Sequence, residues 1–285
     1  MSDDTPKAVI AAGRRYSLGV LADGSVVAAG ASRQPECRVE TWSDVVEVAA
    51  GNVHTARNTG RSHSVGLRRD GTVVATGWNG DGQCVVEGWS DVVAIAAGWR
   101  RTLGVLADGS VRAAGRRSEG ACDVERWSEI VAVSAGDWHS VGLRADGGAV
   151  AVGNNRAGQC DLDEWHGLRA VAAGYLHTVA LTTTGHVLAV GDASAGGQAV
   201  GAWRDVVHVS AGSHHTVGVT ATGRVLAAGD NARGQCDVGS WRDVVAVAAG
   251  SAHTVGLRSD GTVLAAGNDD DGQCDVGQWD LAARG

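Results

Sequence analysis

Residues 243–279 read DVVAVAAGSAHTVGLRSDGTVLAAGNDDDGQCDVGQW, and variants of this stretch recur along the whole chain. The closing tryptophan marks the phase. Trp42, Trp89, Trp127, Trp165, Trp203, Trp241 and Trp279 are separated by 47 residues once and by 38 thereafter. A fixed period of this length indicates a solenoid or a propeller. Within the unit, an apolar run ending at Gly250 is followed two residues later by a second run, His253-Thr254-Val255-Gly256-Leu257, which reads as two strands joined by a tight turn. Asp260-Gly261 supplies the next turn, in the type I′ form that an Asp-Gly pair favours. Equivalent pairs stand at Asp23-Gly24, Asp70-Gly71, Asp108-Gly109, Asp146-Gly147, Thr184-Gly185 and Thr222-Gly223. A third strand from Thr262 to Gly267 and a short fourth around Cys274-Asp275-Val276 complete the unit.

Radially repeated four-stranded sheets make a β-propeller. The expectation is therefore an all-β, seven-bladed β-propeller with four-stranded antiparallel blades and a 38-residue repeat, forming one domain over residues 1–285. An insertion at about residues 51–59 accounts for the longer first spacing. There are seven His-Thr-Val-Gly-like strands but only six Asp-Val-Val-Ala-Val strands behind a tryptophan, and Lys7 to Gly13 looks like the missing copy. The N-terminal strand is thus expected to complete the last blade and so remove an open sheet edge.

Composition narrows the function. With 43 glycines but only 2 prolines and 44% hydrophobic residues, the chain is neither collagen-like nor disordered. A net charge of −8 argues against a general polyanion-binding surface, so no genomic DNA partner is expected. No apolar run is long enough to cross a membrane, and the residues after Met1 lack the apolar core of a signal peptide, so a cytoplasmic location and a monomer with no membrane contact are expected. Cys37, Cys84, Cys122, Cys160, Cys236 and Cys274 fall one per unit. At a radius of roughly 10 Å, neighbouring copies would lie roughly 9 Å apart, beyond the Cα reach of a disulfide at about 7 Å. They read as reduced, packed thiols, and their dispersal offers no zinc site. Asp269 to Asp271 reads as a solvated turn, so no metal and no cofactor are expected.

Gly250, His253, Thr254, Leu257, Asp260, Gly261, Gly267, Asn268, Gly272 and Gln273 form a pattern that resembles the regulator of chromosome condensation repeat family, with Cys274 where that family has leucine. The resemblance runs over residues 7 to 279 and implies a seven-bladed propeller. The short period is similar to that of the bacterial type represented by β-lactamase inhibitory protein II, and shorter than that of the eukaryotic exchange factor for the Ran GTPase. Because such propellers host unrelated activities, the function has to come from the site.

His63, His139, His177, His215 and His253 share the Gly-x-x-His position, where Tyr16 and Arg101 stand in the first and third units. Five copies around a ring suit a structural task. Function is sought where the repeats differ, on the face that carries the Gly-x-x loops and the loops before Gly-Gln-Cys. That face gathers Arg14, Arg15, Tyr16, Arg33, Arg57, Arg61, Trp78, Trp99, Arg100, Arg101, Arg116, Arg117, Trp138, Tyr175 and His214, with acids in the last unit. Arginine with tryptophan and tyrosine is the composition of interface hot spots and of planar-anion sites. The leading expectation is a non-catalytic recognition module for a protein or peptide partner, or a small anionic ligand, with Arg14, Arg15, Tyr16, Arg61, Trp78, Trp99, Arg100, Arg101, Arg117, Trp138, Tyr175 and His214 as its contacts. The resemblance to the inhibitory protein implies a β-lactamase inhibitor as one alternative, through aromatic residues in matching loops. A second alternative is an enzyme in the central funnel using His54, His63, Asp137 and His139.

Overall fold

The computed structural model describes residues 8–31, 34–54 and 62–281. These form seven antiparallel sheets of three strands each, and every sheet is built from consecutive segments of the chain. We number them as blades 1 to 7. The inner strands are Ile10–Ala12, Val45–Ala50, Val92–Gly98, Ile130–Ala135, Leu168–Ala173, Val206–Ala211 and Val244–Ala249. The middle strands are Tyr16–Val20, His63–Arg68, Arg101–Leu106, His139–Arg144, His177–Thr182, His215–Thr220 and His253–Arg258.

Two expectations are corrected. The fourth strand is absent among the described residues: Cys37 ends a short 3-10 helix, Pro35–Cys37, and the equivalent segments of the other units are turns and irregular backbone. In blade 2 the Cys84 amide donates to the Asn79 side chain, and Val86 N–H turns back to the Cys84 carbonyl, so its backbone groups are satisfied locally. The N-terminal strand also belongs to blade 1, where Ile10, Ala11 and Ala12 pair with Gly19, Leu18 and Ser17. The Gly-x-x loop makes a hairpin with the next segment the nearest available pairing, so seven inner strands serve seven blades and no copy is missing. The Asp-Gly turns differ in type as well. Gly24 lies at φ 84° while Asp23 stays at negative φ, and Gly24 N–H donates to Leu21 C=O. This is a type I turn followed by a left-handed glycine, with Asp23 Oδ1 accepting from the Ser25 amide and hydroxyl.

Blades pack through the repeat tryptophan. Trp42 lies over Gly66 of blade 2, Trp127 over Gly142 of blade 4 and Trp241 over Gly256 of blade 7, so close that a Cβ on the glycine would sit within 3 Å of the indole. Trp279 meets Gly19 of blade 1 in the same way. Most valines of the inner and middle strands are buried between neighbouring sheets, which explains why these strands do not alternate with polar residues.

A second set of contacts joins the blades under the loop face. His63 Nε2 meets Thr102 Oγ1 of the next blade at 2.8 Å; His139 meets Thr178, His177 meets Thr216, His215 meets Thr254, and His253 meets Ser17 across the seam at 2.9 Å. Thr102, Thr178, Thr254 and Ser17 donate their own proton to a backbone carbonyl, so each of these hydroxyls accepts from an Nε2–H. The rings of His63, His139, His215 and His253 are therefore neutral Nε2–H tautomers. Burial pulls their pKa values down to about 3 for His63, His139 and His215 and about 4 for His177 and His253. The preceding glycine is required because the ring and the next blade's backbone leave no space for a Cβ: at Gly174 it would meet His177 Cε1 at 2.3 Å and Gly212 O at 2.5 Å.

Candidate functional site

The stretch that breaks the period folds across the axis. Asn52 Oδ1 takes a bond from Ser251 Oγ of blade 7 at 2.7 Å, and Ser213 Oγ of blade 6 lies at 3.4 Å. Val53 is fully buried, and the backbone N–H of His54 donates to Asp137 Oδ2 of blade 4 at 2.6 Å. Residues 52–54 thus run from blade 2 over the mouth of the ring and are tied to three blades beyond it. The crossing meets blades 6 and 7 at the serines that open their first loops, Ser213 and Ser251. Of the expected insertion, residues 55–59 lie outside the described residues, as do Arg33, Arg57 and Arg61.

His54 is the centre of an aromatic cluster. Its Nδ1 lies 2.8 Å from Asp137 Oδ2, the oxygen that also accepts its backbone N–H. Its ring stands edge-on to Trp99 at 5.4 Å, tilted against Trp138 at 6.1 Å and against Tyr175 at 4.7 Å. Trp99 packs on Trp138 at 4.6 Å, and Tyr175 on His214 at 5.1 Å. The Arg100 guanidinium sits over Trp99 at 4.4 Å and Trp78 at 5.0 Å and pairs with Asp81 at 3.3 Å. Arg116 also lies over Trp99, at 5.8 Å, and the result is a continuous arc of rings and guanidinium groups supplied by the loops of blades 2 to 6.

Local backbone fixes the arc. In blade 3 the pairing extends to Gly98 and Arg101, leaving Trp99 and Arg100 as a two-residue turn with Arg100 at φ 80°. A side chain in that region costs about 1–2 kcal/mol, a strain of the kind concentrated at binding loops. The Trp99 indole N–H and Arg100 Nε are buried and have no protein partner. Burial raises the pKa of the Asp137 carboxyl, while the two bonds from His54 oppose that shift.

The expected contacts divide clearly. Trp78, Trp99, Arg100, Trp138, Tyr175 and His214 come together. Tyr16 and Arg101 do not belong to the surface: Tyr16 is 1% exposed and donates its hydroxyl to the His63 carbonyl, and Arg101 is 3% exposed. Arg101 bonds to Ser140 Oγ at 2.8 Å, Asp137 O at 3.0 Å, Gly136 O at 2.7 Å and also His139 O. Both occupy the histidine position and perform its task with a longer reach. Burial lowers the Arg101 pKa to about 10, which leaves it charged at neutral pH.

Arg14 is half-buried and feels the Asp271 and Asp137 carboxylates. Arg15, Arg116 and Arg117 pair with Asp271, Glu119 and Glu125 respectively, so much of the arginine character of this rim is internally neutralised. Among the funnel candidates His54 and Asp137 meet, whereas the rings of His63 and His139 are engaged in clasps between blades. Asp137 gives one oxygen to both the ring and the backbone of His54, which is the geometry of an anchor for the crossing segment. The cysteines are unpaired, and burial raises the thiols of Cys84, Cys160 and Cys236 to about 11 and those of Cys37 and Cys274 to about 12. His54 was expected only as a funnel group of the enzyme alternative, and the part of Asn52 was not readable from periodicity; the one signal was that the insertion falls at a loop beside the axis.

The regulator of chromosome condensation (RCC1) repeat matches residues 58–83, 130–159, 168–198, 206–235 and 244–273. The chain belongs to this repeat family. Among solved structures, the chain is similar to yeast RCC1 (Prp20) in its complex with Kap60, with a TM-score of 0.68 and 16% identity over 99% of this chain and 84% of that one. It is similar to human WBSCR16, with a TM-score of 0.65 and 20% identity over 87% and 85%. The CRINKLY WD40 ectodomain of the Arabidopsis thaliana receptor kinase ACR4 matches with a TM-score of 0.64 and 20% identity over 78% and 85%. At these identities the likeness concerns the fold. No curated protein sequence matches the chain.

Proposed function

We propose that this RCC1-repeat propeller is a non-catalytic recognition module that binds a protein or peptide through the arc Trp78–Arg100–Trp99–Trp138–Tyr175–His214. The observation that carries this reading is the convergence of those six side chains from five successive blades around one mouth. Aromatic rings with few rotors and an oriented guanidinium give a large contact area at low entropic cost, which suits a hot spot. Yeast Prp20 is described in complex with Kap60 and for its binding to Gsp1p and histones, so propellers of this fold do serve as protein-binding platforms. The enzyme alternative has less support, because Asp137 is committed to anchoring the chain at His54.

The test is capture from a cell lysate with the wild type and with Trp138→Ala/Tyr175→Ala, followed by mass spectrometry, with Arg144→Ala on the hairpin side as a control. A protein retained by the wild type and the control but lost from the double variant is the expected result. Equal retention by all three, or nothing retained above blank resin, would overturn the assignment.

A further inference from the structure

The inner strands of all seven blades line an axial channel of about 490 Å³, within the usual size of small-molecule pockets, about 300–1,000 Å³. Its walls are mainly valine and alanine. At the rim end the crossing segment reaches over it: Asn52 lines it and Val53 is fully buried. The other end lies where the inner strands begin, on the hairpin face, since Val45 N–H bonds to Gly24 C=O of the neighbouring hairpin.

That mouth has its own pattern. Each inner strand of blades 2 to 7 bulges after its first paired residue, placing Val46, Val93, Val131, Arg169, Val207 and Val245 at one level. Val131, Val207 and Val245 are 41%, 36% and 47% exposed, so the mouth presents an apolar collar. Arg169 of blade 5 breaks it. Its Nη2 donates to the Val207 carbonyl at 2.9 Å, and it has no carboxylate partner among the described residues. One residue further in, where blades 3, 4, 5 and 7 carry Ala94, Ala132, Ala170 and Ala246, blade 6 carries His208, and blade 2, away across the ring, carries the buried Glu47, whose Oε1 accepts from the Ile95 amide of blade 3.

The His208 ring lines the channel, and its Nδ1 is buried without a partner. Burial, with Arg169 alongside, lowers its pKa to about 4, so at neutral pH it is an uncharged imidazole with one N–H to donate. The lining serines are accounted for differently, since Ser134 and Ser210 accept from the amides of Ala173 and Ala249.

We propose that the channel is a binding site for a medium-chain aliphatic carboxylate, which enters from the hairpin face with its tail along the valine and alanine walls and its carboxylate between Arg169 and His208. Arg169 and His208 lie on adjacent blades at the mouth of a space walled mainly by valine and alanine. A planar guanidinium with one edge tied to a carbonyl still offers N–H donors to a carboxylate. The walls accept methylenes and disfavour a second charge. This site is independent of the rim arc.

Calorimetric titration with octanoate, octylammonium and acetate tests it. Octanoate is expected to bind saturably, with octylammonium and acetate at least 10-fold weaker. Arg169→Val and His208→Ala install residues that other blades carry at those levels, so both should fold, and Arg169→Val should weaken octanoate at least 10-fold. Arg144→Ala should leave it unchanged. Absence of saturable octanoate binding, equal binding of octylammonium, an unaffected Arg169→Val, or loss in Arg144→Ala would each overturn the proposal.

Discussion

Arg101 departs from the repeat yet performs the repeat's task. Where five blades place a histidine, its guanidinium reaches the hydroxyl of Ser140 and the carbonyls of Gly136, Asp137 and His139. An arginine beside exposed-looking loops reads as a ligand contact in sequence, because composition carries no information about which way a side chain turns. Removing it leaves buried acceptors without donors, so Arg101→Ala should cost about 3 kcal/mol in urea unfolding. Arg101→His restores the ring used elsewhere and should cost less than half as much. A small effect of Arg101→Ala would place the side chain in solvent. Trp78, Trp99, Arg100, Trp138, Tyr175 and His214 were legible for a simple reason: they interrupt a regular pattern at loop positions, where the backbone leaves side chains little choice but to face the rim.

At the level of elements, the clasp ties a middle strand to its neighbour, and it titrates. The folded histidines are held neutral with pKa values near 3 to 4, below the ordinary value of about 6.5 in an unfolded chain. The unfolded state therefore takes up protons first as pH falls. Stability is complete above about pH 6.5 and is lost progressively below it until the folded pKa values are reached. At pH 5 each clasp forfeits about 2 kcal/mol. Denaturant unfolding between pH 7.5 and 5 should show this steep loss, and His215→Gln should reduce the slope by about one proton; an unchanged slope would mean that the ring is protonated in the fold. The strands and hairpins of each unit were legible from period and turn residues. Their number per blade was not, since the Cys-Asp-Val segment has strand-like composition but satisfies its amides locally through Asn79 and its equivalents.

For the whole molecule, the seam between blades 7 and 1 repeats the internal interfaces. His253 meets Ser17, Trp279 covers Gly19, and the Leu281 amide bonds to Gly261 C=O. If the ring closes by the same physics at every interface, Trp279→Ala should lower stability by about 3 kcal/mol, comparable with Trp127→Ala, as large-to-small changes under a packed ring do. A near-neutral Trp279→Ala alongside a costly Trp127→Ala would show the seam to be open. The crossing of residues 52–54 adds contacts that no repeat supplies, linking blade 2 to blades 4, 6 and 7.

The sequence by itself determined the seven-fold period, three strands of each unit, the positions of the turns and the face on which the repeats vary, because each of these depends on residues close together in the chain or at a constant spacing. Tertiary structure decided the rest. Which blade owns the N-terminal strand follows from the shortest available hairpin. Whether Tyr16 and Arg101 face solvent or the next blade follows from packing across an interface. That His54 reaches Asp137, 83 residues away, and that Arg169 of blade 5 reaches the Val207 carbonyl of blade 6, next to His208, follow from curling the chain into a ring, which brings together groups that no local spacing relates.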